Sequence, residues 1–598
     1  MNNPFQTILR GIEVGEGRLL ARLIPLLLTV AAVAGFYNFV FYHGLSDSQS
    51  MDNAQLARQL ASGDGFTTKF LRPRAISQLR DYAQSQLLLS GGSGELFPAD
   101  KFPPGTEKIL PDTYNAPGYP VLLASWFAVI RPNFHPTSDE LNLSHVYSGD
   151  RWIPVLNLLF LLLTAALVFI LALRLFDDRV AWMSLVTFLA TDLIWKYSVT
   201  GLSTTFLMFL ITAAIFCALK IFRIGEECFE SEESSFAPAW GWAVILTFLL
   251  IVLCYTRLTL LIVLVPFLIL LIVMPRSSVP LALVVCLTAF LAVTPWFWHW
   301  YSVSGNPLGS NVTLLIQDED NYTQNQIYRT MSVPEYQRLF KDLSKKEFSG
   351  FRWHFEHAWE LMAASPMVLL FAVSLLHRFK RRRTLALVWL LVSCAVVMIL
   401  VNNLAVTNPD PLSSWNSIII LFPSVVVVGS AFFFILLDRL ELELWLLNNL
   451  IIIAVLALSA APLAQTLTTS GNQFYAFPPY MPPLIKMLGG YAKPDEWVTT
   501  DMPWASAWYS DHASLWLPDS INDFDNLYDT VCPTGMLYLT PVTWSQPAGN
   551  LMKGEDKDWM PFVTRTNLPA NFPLTTHTYV SGPEYSVWSN RPRWQTTQ

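Results

Sequence analysis

Long apolar runs alternate along the chain with polar segments, and the length of these runs is the first property that classifies the protein. Each run has roughly 20 residues with almost no charge, the length that a helix needs to cross a hydrocarbon core of about 30 Å. The run at 19–42 is long enough to span, and we interpret it as an uncleaved helix rather than a signal peptide. The pattern predicts about eleven membrane-spanning helices, at 19–42, 151–176, 180–200, 203–222, 238–255, 257–274, 280–303, 357–378, 384–405, 415–437 and 444–466.

Basic residues near the ends of the apolar runs predict which side of the membrane each polar segment occupies. The densest basic cluster, at 377–383, is placed in the cytoplasm, and the spans are counted outward from it. The count puts the N-terminus in the cytoplasm and the loops 42–150 and 304–356 on the extracytoplasmic side. It requires that the shorter apolar run at 116–131 does not cross, and we interpret that run as a helix at the outer interface. The basic residues that break the trend, at outer ends, are Arg151, Lys196 and Arg257.

The spans and loops predict two regions, a transmembrane module at 1–466 and an extracytoplasmic C-terminal domain at 467–598. In the C-terminal region, short apolar segments alternate with turn residues, which indicates a small α/β domain. The elements predicted there are strands at 497–500 and 536–539 and a helix at 504–509. In the first outer loop, a partial apolar stripe predicts a helix at 51–62.

Composition agrees with a membrane protein and argues against other classes. Hydrophobic residues make up 53% of the chain and charged residues only 14%, whereas a soluble globular chain carries about 25% charged residues. The net charge is −7 and no long basic tract is present, which argues against nucleic acid as a partner. Only Cys532 lies in a large loop, so no disulfide framework is expected in the polar regions, and the sequence has no zinc-type spacing of cysteine and histidine.

Five local patterns, in order along most of the chain, resemble the GT-C superfamily of membrane glycosyltransferases that use polyprenyl-phosphate sugars. This superfamily includes the protein mannosyltransferases and the lipid A aminoarabinose transferases. The patterns are the acidic and helical segment from Ser50 to Thr68, Asn115-Ala116-Pro117-Gly118-Tyr119-Pro120, the helix from Arg151 to Arg179, Pro295-Trp296 through Gly305-Asn306-Pro307, and Thr500 to Tyr509 with Leu515 to Pro518.

The resemblance implies a polytopic α-helical fold that transfers a sugar from a polyprenyl-phosphate donor to an acceptor at the outer face, with inversion at the sugar carbon. It also implies a bacterial inner membrane as the location, surrounded by membrane lipids and open to partner subunits. The acceptor is a protein, a lipid or a glycan, and the sequence does not distinguish these.

A carboxylate just after the first span suits the general base that such a transfer needs. Asp47 and Asp52 are the candidates. The alternative is that Asp52 caps the amphipathic helix, because aspartate is favourable near a helix start. Many relatives carry adjacent Asp-Glu in the region where this chain has Ser48-Gln49-Ser50. Because Gln49 cannot act as a base, this departure leaves the identity of the base and the activity itself open.

Three residues are candidates for binding the donor phosphate. Arg257 interrupts an apolar stretch from 238 to 274, and a guanidinium group binds phosphate in a bidentate way; the alternative is an arginine that reaches the outer headgroups. Lys196 is a second candidate, with an interfacial anchor as the alternative. His299 lies where relatives often carry an Arg-Asn pair, and its alternative is a place in an aromatic interface belt.

Tyr119, Asp501, Trp508 and Tyr509 are candidates for contacting the acceptor or the sugar, since aromatic faces suit sugar rings. For the last three, the alternative is a place in the core and turns of the small domain. The acidic segment at 317–320 offers oxygen ligands to a divalent cation such as Mg²⁺ or Mn²⁺, and a solvated acidic loop is its alternative. No residue is assigned as a metal ligand.

Two other functions stay open. A catalytically silent relative that serves as a scaffold or subunit of a membrane complex would explain the departures at Gln49 and His299. A transporter is compatible with the number of spans, but the sequence shows few ionisable residues in mid-membrane and no paired broken helices.

Overall fold

Eight helices in the described part of the chain are long and apolar enough to cross a membrane. The computed structural model describes residues 16–89, 110–135, 146–230, 237–273, 279–317, 322, 325–333, 339–441, 445–469, 482–493, 496–531, 533–544, 547–554, 556–566, 568–569, 571–579 and 586–593. The eight helices are α1 (Glu16–Gly35, continued by a π-helical turn at Phe36–Phe41), α2 (Ser148–Leu175), α3 (Thr204–Glu230), α4 (Ala237–Thr256), α5 (Val279–Ser304), α6 (Arg382–Ala405), α7 (Phe422–Arg439, preceded by a 3₁₀ turn at Ile418–Leu421) and α8 (Trp445–Thr469). The predicted polytopic α-helical membrane fold is confirmed.

The other three predicted spans, at 180–200, 257–274 and 357–378, are shorter or interrupted. Thr191 has an extended backbone conformation that breaks the first run, and the third breaks before a proline, where helical conformation is disfavoured. The second is a short helix at Leu258–Val273, which begins only after the extended backbone of Arg257 and changes from 3₁₀ to α geometry. Their pieces are Asp178–Leu189 and Asp192–Thr200, the 3₁₀-helix Leu258–Val263 and Leu264–Val273, and Ala358–Leu361 and Pro366–Ser374. In the described part of the chain, eight long helices, one shorter helix and two interrupted ones therefore correspond to the eleven predicted spans.

Shorter helices fill the polar segments. The helix predicted at 51–62 begins earlier, at Ser48, because Asp47 caps it. The helix predicted at 116–131 covers 13 residues, about 20 Å against a hydrocarbon core of about 30 Å. These helices are Ser48–Ser62, Pro73–Leu89 and Gly118–Ile130 in the first loop, Gly309–Leu315 (3₁₀), Gln326–Arg329 and Leu339–Glu356 in the second, and Pro482–Gly489, Pro503–Ala505, Ser506–Ser510 (π), Ile521–Thr530, Pro541–Trp544, Ala548–Lys553, Lys557–Trp559 (3₁₀) and Met560–Thr564 in the C-terminal region.

Helix α2 connects the two ends of the molecule. Near its start, Asp150 accepts a hydrogen bond from the indole nitrogen of Trp508 in the C-terminal region, over 2.6 Å. At its end, the carbonyl oxygen of Leu175 accepts a hydrogen bond from the Arg381 guanidinium over 3.0 Å. Since α2 has 28 residues, its ends are about 42 Å apart. The basic cluster and the C-terminal sheet therefore lie at opposite ends of the helices.

The C-terminal region forms a six-stranded sheet that takes one strand from the first outer loop. The strands in the described part of the chain are β1 (Thr67–Thr68), β2 (Phe70–Leu71), β3 (Leu110–Pro111), β4 (Trp497–Thr500), β5 (Ser514–Trp516), β6 (Thr534–Leu539), β7 (Thr576–Tyr579) and β8 (Ser586–Ser589). The order in the large sheet is β2-β5-β4-β6-β8-β7, with the first four parallel and the last two antiparallel to their neighbours, and β1 pairs with β3 separately. Strand β4 and helical turns at 503–510 agree with the prediction, and β6 begins two residues earlier than expected.

Alternate side chains of β6 place the sheet between two apolar layers, as the two-residue period of a strand requires. Met536 and Tyr538 pack with the core of the membrane helices. Leu537 and Leu539 pack on the other face with a second core, which includes Trp559 and other aromatic residues of the C-terminal region. The sheet thus lies directly on the helical module, and its far side is covered by helices of the C-terminal region and by residues of the second outer loop such as Ile316 and Ile327.

Candidate functional site

A cavity of about 340 Å³ lies between the first outer loop and the ends of the membrane helices. Its volume is within the range of small-molecule sites, about 300–1,000 Å³. The wall is mainly apolar and aromatic, and it includes Phe297, Trp300 and Trp415. Polar side chains also face it, among them Gln49, Asn53, Asn115, Arg257 and Asn311. An apolar wall with a few convergent polar groups is the pattern of a ligand site.

Arg257 is the cationic residue of this cavity wall. Its backbone is extended between the last residue of α4 and the 3₁₀-helix that follows, so the side chain leaves the helical packing and turns to the cavity. The guanidinium forms no ion pair with a carboxylate among the described residues, and the phenol of Tyr197 lies within its electrostatic range. A half-buried cation without a carboxylate partner is suited to an anionic ligand.

Asp47 lies two residues before Gln49 and caps the helix Ser48–Ser62. One carboxylate oxygen accepts hydrogen bonds from the backbone amides of Gln49 and Ser50, over 2.9 and 3.1 Å. The second oxygen has no hydrogen-bond donor among the described residues. Burial raises the pKa of Asp47 to about 6, which is close to the value that favours a general base. Asp47 and Arg257 both lie within electrostatic range of Tyr197.

Asp52, by contrast, is buried inside the same helix and is bound on both oxygens. Arg72 donates to one oxygen over 2.6 Å, as does Asn115 over 2.9 Å. Gln55 donates to the other oxygen over 3.0 Å. The expected capping role therefore belongs to Asp47, and the suggestion that Asp52 caps the helix is wrong, because Asp52 lies a full turn inside it.

Asp112 completes the buried network behind the cavity wall. Its carboxylate accepts hydrogen bonds from the backbone amides of Tyr114 and Asn115 and from the Asn115 side chain. Burial and the nearby charge of Asp52 raise the pKa of Asp112, although Arg72 opposes this shift. The Arg72 guanidinium lies over the Tyr114 ring at 4.0 Å. The network fixes Asn115 and Tyr114, which both line the cavity.

The other two candidates for phosphate binding lie outside the cavity lining. The ammonium of Lys196 forms an ion pair over 2.6 Å with Asp192, which lies one turn earlier on the same helix. The half-exposed His299 ring lies 5.0 Å from the Trp296 ring. Two aromatic residues beside it, Phe297 and Trp300, do line the cavity. The structure therefore places Arg257 in the cavity wall and Asp47 within electrostatic range of the same tyrosine, whereas Lys196 and His299 lie outside the lining.

The four residues suggested for sugar contacts are all buried. The Tyr119 hydroxyl lies 3.0 Å from both the Asn157 side-chain oxygen and the Gly201 carbonyl oxygen. Trp508 and Tyr509 donate to the two oxygens of Asp150 over 2.6 and 2.7 Å.

Asp501 has a similar structural position. It accepts hydrogen bonds from the backbone amide and hydroxyl of Thr540, and burial raises its pKa to about 6. These contacts agree with the alternative interpretation, in which Asp501, Trp508 and Tyr509 belong to the core and turns of the domain.

The residues that the structure describes do not form a metal site. No group of three or more His, Cys, Asp or Glu side chains converges among them. The oxygens of Asp52 and Asp112 already accept from protein donors. Gln317 is described, whereas Asp318, Glu319 and Asp320 of the proposed acidic segment lie outside the described residues.

Sequence reasoning missed Arg72, Asp112 and Asn115. Arg72 directly follows β2, and Asp112 directly follows β3. The sequence did offer one signal for Arg72 and Asp112: each is a charged residue directly after a short apolar segment in a polar loop. That signal does not identify the partner, because Asp52 and Arg72 are 20 residues apart and Asp52 and Asn115 are 63 apart.

The comparison with protein families finds no family model that matches the chain, and the comparison with curated proteins finds no match. Solved structures nevertheless have the same fold. ArnT from Cupriavidus metallidurans in the apo state aligns over 96% of this chain and 98% of its own, with a TM-score of 0.51 and 12% identity. The archaeal oligosaccharyltransferase AglB from Archaeoglobus fulgidus, in complex with an inhibitory peptide and a dolichol-phosphate, aligns over 96% of this chain and 74% of its own, with a TM-score of 0.51 and 10% identity.

Both of these proteins are GT-C superfamily members. At such low identity, the likeness concerns the fold and not the activity. The resemblance of the sequence motifs to the GT-C superfamily is therefore confirmed at the level of the fold.

Proposed function

We propose that the protein is a membrane glycosyltransferase that moves a sugar from a polyprenyl-phosphate donor to an acceptor at the extracytoplasmic face. The observation that carries this proposal is Arg257, which faces a mainly apolar cavity at the sheet end of a GT-C-like fold without a carboxylate partner among the described residues. A cation in an apolar pocket suits a ligand that joins a phosphate to a hydrocarbon chain.

The fold comparison supports a lipid phosphate as the ligand. AglB was solved with a dolichol-phosphate, and its fold covers nearly all of this chain. In our proposal, Arg257 binds the phosphate of the donor and stabilises the charge that develops on it as the bond to the sugar breaks. The apolar walls at Leu258, Leu404 and Ala405 accommodate the first isoprene units.

Asp47 is the proposed general base. Its capping contacts fix one oxygen and leave the other without a donor among the described residues, and its pKa of about 6 leaves it mainly ionised at neutral pH. It would take the proton from the acceptor as the acceptor attacks the anomeric carbon from the side opposite the phosphate. This single displacement inverts the configuration at that carbon. Asp52 holds Arg72 and Asn115 in place and is not the base in this proposal.

The acceptor is a protein, a lipid or a glycan that reaches the cavity from the side of the outer loops. The proposed step uses side chains of this chain and assigns no role to a divalent cation. Lys196 and His299 remain further candidates for the donor site, and Tyr119 for positioning the helix Gly118–Ile130.

The decisive experiment is native mass spectrometry of the detergent-purified chain with added undecaprenyl phosphate. The Arg257→Ala variant should bind the lipid about tenfold or more weakly, since a hydrogen bond to a charged group contributes about 1.5–3 kcal/mol. Arg151→Ala is the matched control, because Arg151 is an exposed arginine at the same end of the helices and outside the cavity lining. Equal lipid binding by Arg257→Ala and the unaltered chain, with both folded, would contradict the proposal.

A catalytically silent relative is the second candidate. It is favoured by the structural roles of both acidic candidates, since Asp47 caps a helix and Asp52 holds a buried arginine. Such a protein would bind undecaprenyl phosphate but release none from a polyprenyl-phosphate sugar, whatever acceptor extract is supplied. Release that depends on Asp47 would exclude it.

A further inference from the structure

A second cavity, of about 460 Å³, lies at the basic end of the molecule. It opens between the end of α2, the helix Asp178–Leu189, the segment before α6 and the end of α7. The length of α2 separates this end from the sheet end by about 42 Å. This basic pocket is therefore distinct from the cavity that holds Arg257, and its ligand is independent of the proposed transfer reaction.

Positive charge dominates the basic pocket. Five permanently cationic side chains line it and face only two carboxylates, Asp177 and Asp438, among the described residues. Arg179 lies 3.8 Å from Asp177 and 3.6 Å from Asp438, so one arginine shares both carboxylates. The exposed cations Arg378, Lys380 and Arg439 form no hydrogen bond or ion pair with another described residue. The pocket thus has unpaired positive charge available to an anion.

The remaining wall of the pocket is aromatic and aliphatic. Phe176, Phe379, Phe434 and Ile435 contribute to it. The Arg179 guanidinium lies 5.5 Å from the Phe434 ring centre. A site for a free inorganic anion needs no such wall, whereas a molecule with both a phosphate and hydrocarbon chains would contact both parts of it.

We propose that this pocket binds the headgroup of an anionic glycerophospholipid from the membrane leaflet at the basic end. Arg378, Lys380 and Arg439 contact the headgroup phosphate, and the start of the acyl chains lies along Phe434 and Ile435. The positive-inside rule places this end in the cytoplasm, where anionic lipids are attracted to clusters of lysine and arginine and occupy basic pockets between membrane helices.

The test uses the full chain, delipidated in detergent and then incubated with phosphatidylglycerol, phosphatidylcholine or inorganic phosphate. Binding is measured by native mass spectrometry and by the shift in melting temperature. The Arg378→Gln/Lys380→Gln variant should bind phosphatidylglycerol about 30-fold more weakly, which corresponds to the loss of two surface cations. Both side chains are exposed and support no described contact, so this variant should fold normally.

The control is Arg174→Gln/Arg382→Gln, which removes two exposed charges at the same end but outside the pocket lining. The control should bind phosphatidylglycerol like the unaltered chain. Equal loss in both double variants would mean a diffuse attraction to charge and would overturn the proposed site. The same holds if phosphatidylcholine or inorganic phosphate stabilises the chain as much as phosphatidylglycerol does.

Discussion

At the scale of single residues, Gly118 shows how a short sequence pattern positions a distant charge. A Cβ atom at Gly118 would lie 2.7 Å from the backbone nitrogen of Thr256 and 2.8 Å from its hydroxyl oxygen. The helix that starts at Gly118 therefore touches the chain directly before Arg257. The Pro-Gly-Tyr-Pro pattern matters here because the glycine permits this close approach, while Tyr119 anchors the helix through Asn157 and Gly201.

We expect Gly118→Ala to displace the segment that carries Arg257. The contact is with backbone as well as side chain, so overpacking should cost about 1–3 kcal/mol of stability. It should also weaken the binding of undecaprenyl phosphate. Gly241→Ala is the control, since a Cβ atom there would meet no atom within 4 Å. A thermal shift assay and the lipid-binding assay measure the two effects, and unchanged values in Gly118→Ala would refute the inferred coupling.

The titration of Asp47 leads to a prediction about pH. A base acts in its unprotonated form, and burial raises the pKa of this carboxyl to about 6. The rate of polyprenyl-phosphate release should therefore rise as pH increases from about 5 to about 7, with a midpoint near the pKa. Asp47→Asn should abolish the release at every pH while the chain remains folded.

Asp52→Asn is the comparison for that experiment. Loss of its charge removes the carboxylate that pairs directly with the buried Arg72, so it should lower the free energy of unfolding by about 3 kcal/mol. Its remaining activity should keep the same midpoint. If the pH dependence of release is lost in Asp52→Asn and kept in Asp47→Asn, then Asp52 is the general base and Asp47 has the structural role.

At the scale of elements, the helix Ser48–Ser62 connects the cavity to the C-terminal sheet. Asp47 caps its start, and Gln49 in its first turn lines the cavity. Towards its end, Arg58 is buried and donates to the carbonyl oxygens of Ala507 and Trp508, over 2.8 Å each. Arg58 also forms an ion pair with Asp511 over 2.6 Å, and Lys69 forms a second over 2.7 Å. Although burial opposes it, these two cations hold the pKa of Asp511 below its usual value.

Replacement of Arg58 should therefore loosen the sheet from the helices. Arg58→Ala leaves two carbonyl groups without their donor and Asp511 with only Lys69 as its partner, which should make the C-terminal region more sensitive to limited proteolysis and lower the melting temperature. Arg80→Ala is a suitable control, because Arg80 also joins the first loop to the C-terminal region but through one hydrogen bond, to Thr530, from a partly exposed side chain. Similar proteolysis of both variants would show that Arg58 has no special role.

The sequence predicted the positions of the apolar helices better than it predicted the breaks within them. Long apolar runs are a direct signal for spans, and Arg257 was found because a charge in such a run is conspicuous. The break at Thr191 was not predicted, because the local sequence there is compatible with a continuous helix. Tertiary packing, and not the local sequence, determines that the helix ends there. The sequence also did not predict the contacts that bury Trp508 and Tyr509, because their partner Asp150 lies 358 and 359 positions away along the chain.

At the scale of the whole molecule, the charges are separated along the helices. Arg383 pairs with Glu226 at the end of α3, and Arg381 binds the end of α2, so the basic cluster packs against the ends of two helices. The C-terminal sheet and the proposed donor cavity lie at the other end. This arrangement agrees with the predicted orientation, in which the basic end is cytoplasmic.

Cysteine labelling tests that orientation. The cysteines among the described residues are buried, and Cys532 lies outside the described residues. The test therefore uses a Cys532→Ser background, which a membrane-impermeant maleimide should label weakly. In intact spheroplasts, Met552→Cys in the C-terminal region should be labelled, whereas Arg382→Cys should be labelled only after the membrane is permeabilised. Both positions are exposed in the folded chain. The reverse result would invert the proposed sidedness.

The strand β2 has a consequence for how the chain is made. Its two residues pair with β5, so that Phe70 lies opposite Ser514, and the ribosome synthesises helices α2 to α8 between them. With the proposed sidedness, the early strand stays unpaired outside the membrane until the last part of the polypeptide has been translocated. A fragment that begins after the last membrane helix would expose the edge of β5, and an unprotected strand edge invites aggregation. The C-terminal region is therefore poorly suited to expression on its own, and supplying residues 64–74 as a peptide should improve its solubility.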